Sequence, residues 1–216
     1  MKNKLDEKNI ELTKIIYEFK QALDIYLLIG LNTKEINKKG GKTFFAMAQQ
    51  FALKVIVIDI CKIFEEKKKN SLNSIPSIID FINGTKLKLD NPNPLINFIK
   101  KHKEEIKKDG CFAKPLNSIL EKFKNTHEKD FNEYKTIRDT KFAHAEYNPS
   151  QNIDALASYD TMEKILFFAI DFYSVIHESY IGGHPVQHRQ ERKTFAGLHT
   201  VLKNMGYNEV KIKLEN

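Results

Sequence analysis

The segment Tyr134-Lys135-Thr136-Ile137-Arg138-Asp139-Thr140-Lys141-Phe142-Ala143-His144 is where residue types and spacing best combine to do chemistry. The chain holds 35 basic residues, yet Arg138, Arg189 and Arg192 are its only arginines. A planar guanidinium forks onto phosphate or carboxylate in a way that a lysine ammonium does not. Six residues on, His144 supplies the side chain best suited to moving protons near neutral pH. A positioned base for a 2′-hydroxyl and a cation for a pentavalent phosphorane are what RNA transesterification requires.

Geometry limits what one copy can do. At 100° per residue, Arg138 and His144 stand about 120° apart on a regular helix, flanking a face without sharing its centre. One copy makes half a groove; two copies across a twofold axis line a cleft with two arginines and two histidines. A helix-end Arg138–Asp139 pair with a capping histidine accounts for the same residues, and on them alone both readings stand.

The other candidate motifs resolve to simpler readings. Gly40-Gly41-Lys42-Thr43 resembles the end of a phosphate-binding loop, but Ile36 occupies the position of the first glycine and no apolar strand precedes it. His184 and His188 have a spacing that could hold a metal, but Pro185 and the preceding glycines break the helix and His199 is no clear third ligand. No metal or cofactor is therefore expected. Lys67 to Lys69 and the lysines between Lys100 and Lys108 read as solvated faces, with no aromatic platform to turn them into a nucleic-acid groove.

Apolar spacing is helical almost throughout. Leu12, Ile15, Phe19, Ala22, Tyr26 and Ile29 predict a first helix from about Glu7 to Leu31. A polar break from Asn32 to Gly41 follows, and Thr43 is placed to cap a second helix reaching Phe64. Ser74 to Ile82 and Leu95 to Lys108 read as shorter helices. Pro115 opens a long one running toward His144 and stopped by Asn148-Pro149. Asp154 to Tyr180 is the last long helix, ended by Gly182-Gly183, and Gln190 to Met205 forms a detached short helix. The fold class that follows is all-α, an up-and-down helical bundle of about four long helices plus accessory ones. The expected organisation is a bundle domain over residues 1–183 and a C-terminal extension over 184–216.

Over 216 residues, 41% hydrophobic and 29% charged content suits a core with a water-facing surface. The net charge of +7 favours polyanionic partners, although lysine, asparagine and isoleucine are abundant along the whole chain. Cys61 and Cys111 share no metal-ligand spacing and read as reduced thiols. Met1 to Asn9 lacks the apolar core of a signal peptide. Gln49, Gln50, Lys54, Asp59 and Lys62 interrupt the best membrane-spanning candidate, Phe44 to Phe64. The expectation is a cytoplasmic protein that does not insert in a membrane.

Arg138-Asp139, four further residues and then His144 resemble the signature of the HEPN superfamily, in which four to six residues separate an arginine from a histidine, often with a polar residue just after the arginine. More narrowly, Ile137 to His144 is similar to the AbiU2-like branch associated with abortive infection, where Arg-Asp and Ala-His sit late in a helical bundle. The likeness extends from about Ile10 to Tyr180, taking in the turn at Asn70 to Ser74. Ala145-Glu146 depart from the small polar residue and aspartate that often follow the histidine.

The resemblance implies a helical bundle, a homodimer formed through the motif-bearing helices, and metal-independent cleavage of RNA to 2′,3′-cyclic phosphate ends. It assigns phosphate stabilisation to Arg138, general acid–base work to His144, and orientation of Arg138 or substrate to Asp139. It also implies an antitoxin as a possible partner. The competing expectation is a catalytically silent module that dimerises or binds RNA or a partner. An open cleft where Arg138 and His144 converge favours catalysis, and a buried structural ion pair at either residue excludes it.

Overall fold

The computed structural model describes residues 2–66, 73–85, 87–106, 112–142, 158–185 and 193–207. His144, Cys111, His188, Arg189 and Arg192 lie outside these described residues. Nine α-helices, and no strand, occur among the described residues: α1 (Lys2–Leu31), α2 (Thr33–Lys39), α3 (Lys42–Phe64), α4 (Ile75–Thr85), α5 (Pro92–Lys101), α6 (Ala113–Thr126), α7 (Glu128–Ile137), α8 (Tyr159–Ile176) and α9 (Lys193–Asn204). The fold is an all-α bundle.

Of the stripe predicted for α1, Leu12, Phe19, Ala22 and Ile29 are buried and Ile15 and Tyr26 partly so, while Leu5, Ile16 and Leu23 beside them, each at most 2% exposed, complete the inner face. α3 returns antiparallel beside it, as the bond from Gln49 Nε2 near its start to the Tyr26 carbonyl near the end of α1 shows (3.3 Å). The β-branched stretch Val55 to Ile60 stays helical, because Ile56, Val57 and Ile60 fall on the face turned to the core. Phe64, Phe123, Phe131 and Phe168 stack where α3, α6, α7 and α8 meet; the Phe123 and Phe168 rings lie 4.0 Å apart and nearly parallel. α8 runs antiparallel to α1, bringing His177 beside Asn9.

Helix boundaries depart from expectation in four places. Gly41, left-handed at φ 84°, precedes α3 in place of a Thr43 cap; a Cβ there would meet the Phe45 ring at 3.2 Å. The Asn32 to Gly41 break contains α2, anchored by the buried Ile36. α5 stops at Lys101 rather than Lys108, because Lys103 turns to φ 57°. The long helix expected from Pro115 is divided at His127 into α6 and α7.

α9 does not stand apart from the bundle. Leu202 and Tyr207 bury against Leu28, Ile29, Ile36 and Phe45 in a second small core at the corner of α1, α2 and α3. The Tyr207 hydroxyl donates to the Gly40 carbonyl (2.9 Å), and Lys39 returns a bond to the Gly206 carbonyl.

Of the described helices, α3 alone is long and apolar enough to cross a membrane, with 23 residues and a mean hydropathy of 1.6 over its most apolar window. The polar interruptions noted in its sequence do not take it below that mark. Its inner face is nonetheless core, and Asp59 lies buried within it.

Candidate functional site

α7 delivers the motif. Phe131 and Tyr134 anchor its inner face, and after Ile137 the backbone widens into a π-helical turn, Arg138–Phe142. Single π turns inside helices recur at functional positions. The wider turn also changes the side-chain directions. The 100° stepping that places Arg138 and His144 about 120° apart does not hold through this segment.

Two carboxylates hold Arg138. Its Nε donates to Asp139 Oδ1 at 2.8 Å, and its Nη1 lies 3.6 Å from Glu65 Oε1. The first is a charge-assisted hydrogen bond; the second is too long to be one. The Asp139 bond raises the guanidinium pKa against the opposing effect of partial burial, so Arg138 remains a cation under all ordinary conditions. Its side chain is 23% exposed, partly covered and not sealed in. Glu65 is in turn fixed by its backbone: Ser74 Oγ donates to the Glu65 carbonyl (2.7 Å) while accepting from the Ser77 amide at the start of α4 (3.3 Å).

Beneath this pair lie Cys61 of α3, whose proximity no pattern in the sequence shows, and Tyr134, the first residue of the motif segment. Burial pushes the Cys61 thiol up to about 11 despite the charge of Arg138, so it stays protonated and unreactive at neutral pH. Tyr134, one turn before Arg138, is fully buried, and its hydroxyl has no hydrogen-bond partner among the described residues. Desolvation raises its pKa far above the ordinary phenol value. The motif turn thus rests on the buried Tyr134 and the partly buried Cys61. Farther along, Lys54 of α3 lies over the Phe142 ring, 5.8 Å from its centroid. Glu65 and Lys54 are remote in sequence from the motif, and no pattern in the chain points to them.

The structure therefore brings Arg138 and Asp139 into contact; His144 lies outside the described residues. No group of three or more His, Cys, Asp or Glu able to hold a metal occurs among the described residues. His184 and His199 belong to no such group, and His188 is outside that description.

Comparison with curated proteins gives no match, and neither does comparison with solved structures. A family model does match: the HEPN model described as AbiU2, over residues 3–194. Its span takes in the whole bundle and the motif turn and stops as α9 begins, so the chain belongs to the AbiU2 family of HEPN domains.

Proposed function

We propose that this chain is a metal-independent endoribonuclease of the toxin or abortive-infection type, acting at a composite site contributed by two copies. The observation that carries this reading is the state of Arg138: a permanent cation on a π-helical turn, steered through Nε by Asp139 and only partly covered. With Nε engaged, the guanidinium keeps its Nη edge for a fork onto phosphate, and the long contact to Glu65 is one a phosphate oxygen can displace.

In this reading His144 takes the proton of a ribose 2′-hydroxyl. The 2′-oxygen attacks the adjacent phosphorus, and Arg138 offsets the charge that builds on the non-bridging oxygens. The P–O5′ bond breaks, the 5′-oxygen leaves with a proton supplied by the second histidine or by water, and a 2′,3′-cyclic phosphate remains. The step consumes no oxidant and needs no metal. An antitoxin protein is the partner such an activity would call for.

The Arg138–Glu65 contact gives a second reading its footing: a catalytically inactive dimerisation module, or one that binds RNA or a partner, in which the pair is structural. One assay separates the two. Wild type, Arg138→Ala and His144→Ala are incubated with mixed RNA in excess EDTA. The nuclease reading expects cleavage by wild type to cyclic phosphate ends and a loss of about 10²–10⁴-fold in each variant. Equal activity in all three, or none in wild type, defeats it.

A further inference from the structure

α3 carries an uncovered apolar stripe. Phe44 is 68% exposed, Met47 51%, Phe51 64% and Val55 37%, and the half-buried Ile58 continues the line. These are not scattered surface residues, because their spacing of three, four, four and three reads the same in both directions about Phe51. Laid antiparallel against itself, α3 would set Phe51 on Phe51, Met47 on Val55 and Phe44 on Ile58. An isologous interface must be self-complementary in this way.

Charge agrees with that arrangement. The only acid of α3 is Asp59, which is buried, so the exposed face has no carboxylate to greet a basic partner. Lys54 would fall opposite Ala48 and Lys62 opposite Gly40, so no like charges meet. The four exposed side chains present about 400 Å² of apolar surface, given that a phenylalanine can bury about 150–250 Å². That is close to the apolar share of a standard interface of about 800 Å² per partner. The stripe is also a convex ridge of about 21 Å from Phe44 to Ile58, too short to span a bilayer core of about 30 Å.

The motif turn runs along the edge of this ridge. Lys54, Cys61 and Glu65 stand about 60° around α3 from the stripe. Arg138 lies at the level of Glu65 and Phe142 at the level of Lys54, so the turn descends toward Phe51. Lys54 is about 4.5 Å along the helix from Phe51. A twofold axis through Phe51 would therefore draw the two motif turns together at their C-terminal ends.

We propose that a second copy of this chain docks on the α3 stripe, with the twofold axis at Phe51, and that this contact assembles the composite site. The joining of the two motif turns rests on the composite-site reading above, while the interface itself is measured without RNA. In sedimentation velocity at micromolar concentration, wild type should run at twice the 25.1 kDa chain mass. Phe51→Glu should run as a folded monomer with unchanged circular dichroism, its dimer weakened by more than roughly 100-fold. Phe51 is exposed in the single chain, so the variant leaves the core untouched.

On oxidation Phe51→Cys should cross-link to itself beyond the wild-type background. Met47→Cys mixed with Val55→Cys should cross-link more than either alone. A monomeric wild type, a dimer indifferent to Phe51→Glu, or failure of Phe51→Cys to cross-link overturns the proposal. So does flotation of wild type, but not Phe51→Glu, with anionic phospholipid vesicles, which would assign the stripe to a membrane surface. A dimer that cleaves nothing sinks only the nuclease reading; a monomer that cleaves RNA sinks only this interface.

Discussion

Asp139 and Glu65 grip Arg138 unequally, and that inequality separates an oriented cation from a structural one. The short Nε bond fixes the plane of the guanidinium, while the 3.6 Å contact to Glu65 leaves the Nη edge loosely held. Lysine has no Nε donor in that plane and could not be aimed by Asp139 in the same way. Asp59, elsewhere on α3, is a buried group that destabilises its own fold. Its side chain is 2% exposed, Lys62 meets Oδ1 at 2.9 Å, and Oδ2 has no hydrogen-bond partner among the described residues. Burial, aided slightly by Glu18, raises its pKa above 3.8 against the opposing pull of Lys62. The folded chain thus holds this proton more tightly than the unfolded one. The stabilisation is complete below the unfolded value and is lost as pH rises through the folded one. Asp59→Asn keeps an acceptor for Lys62 without a charge to desolvate. It should be more stable than wild type at neutral pH by on the order of 1 kcal/mol. That advantage should shrink as the pH falls toward the unfolded carboxylate value, about 4. Urea midpoints at neutral and acid pH test this, and an advantage that grows toward acid would contradict it.

At the scale of elements, the long helices were legible because each must bury a stripe, and a stripe shows in sequence as 3.6-residue spacing. Their ends were less so. Thr43 looks like a cap, yet the backbone reverses one step earlier at Gly41, where a left-handed conformation costs a glycine little. The π-helical turn Arg138–Phe142 left no compositional trace. α9 looked detached because its flanks are polar and its apolar residues few. Leu202 within it and Tyr207 just past its end, with Leu198 packed beside them, nevertheless seat it on α1. Leu202→Ala should therefore release α9 while sparing the bundle. Deleting a buried leucine costs about 2–5 kcal/mol where the surroundings cannot follow. A terminal helix can instead undock, which caps the loss at its local stability. The expected outcome is rapid tryptic cleavage within Lys193–Asn204 with a melting temperature lowered by less than about 4 °C. A much larger fall would make α9 part of the cooperative core.

For the whole molecule, Arg138 and Asp139 could be singled out because arginine is scarce in a lysine-rich chain, whereas Glu65, Lys54 and Cys61 could not. Those three reach the motif only through the packing of α7 on α3, and contacts between elements remote in sequence leave no local pattern. The α3 stripe was hidden for a related reason. In sequence its exposed phenylalanines look like more core, and only the placement of α1 on the opposite side shows that α3 has apolar residues to spare. If those residues meet a second copy, folding and association are linked, because the dimer removes folded chains from the unfolding equilibrium. Over a roughly hundredfold range of protein concentration, wild type should then gain about 3 °C in melting temperature, from mass action spread over the unfolding entropy of two chains. Phe51→Glu, lacking the interface, should melt at one temperature throughout that range and match wild type only at the dilute end. A wild-type transition independent of concentration would mean that the bundle folds alone and that its stripe meets nothing in solution.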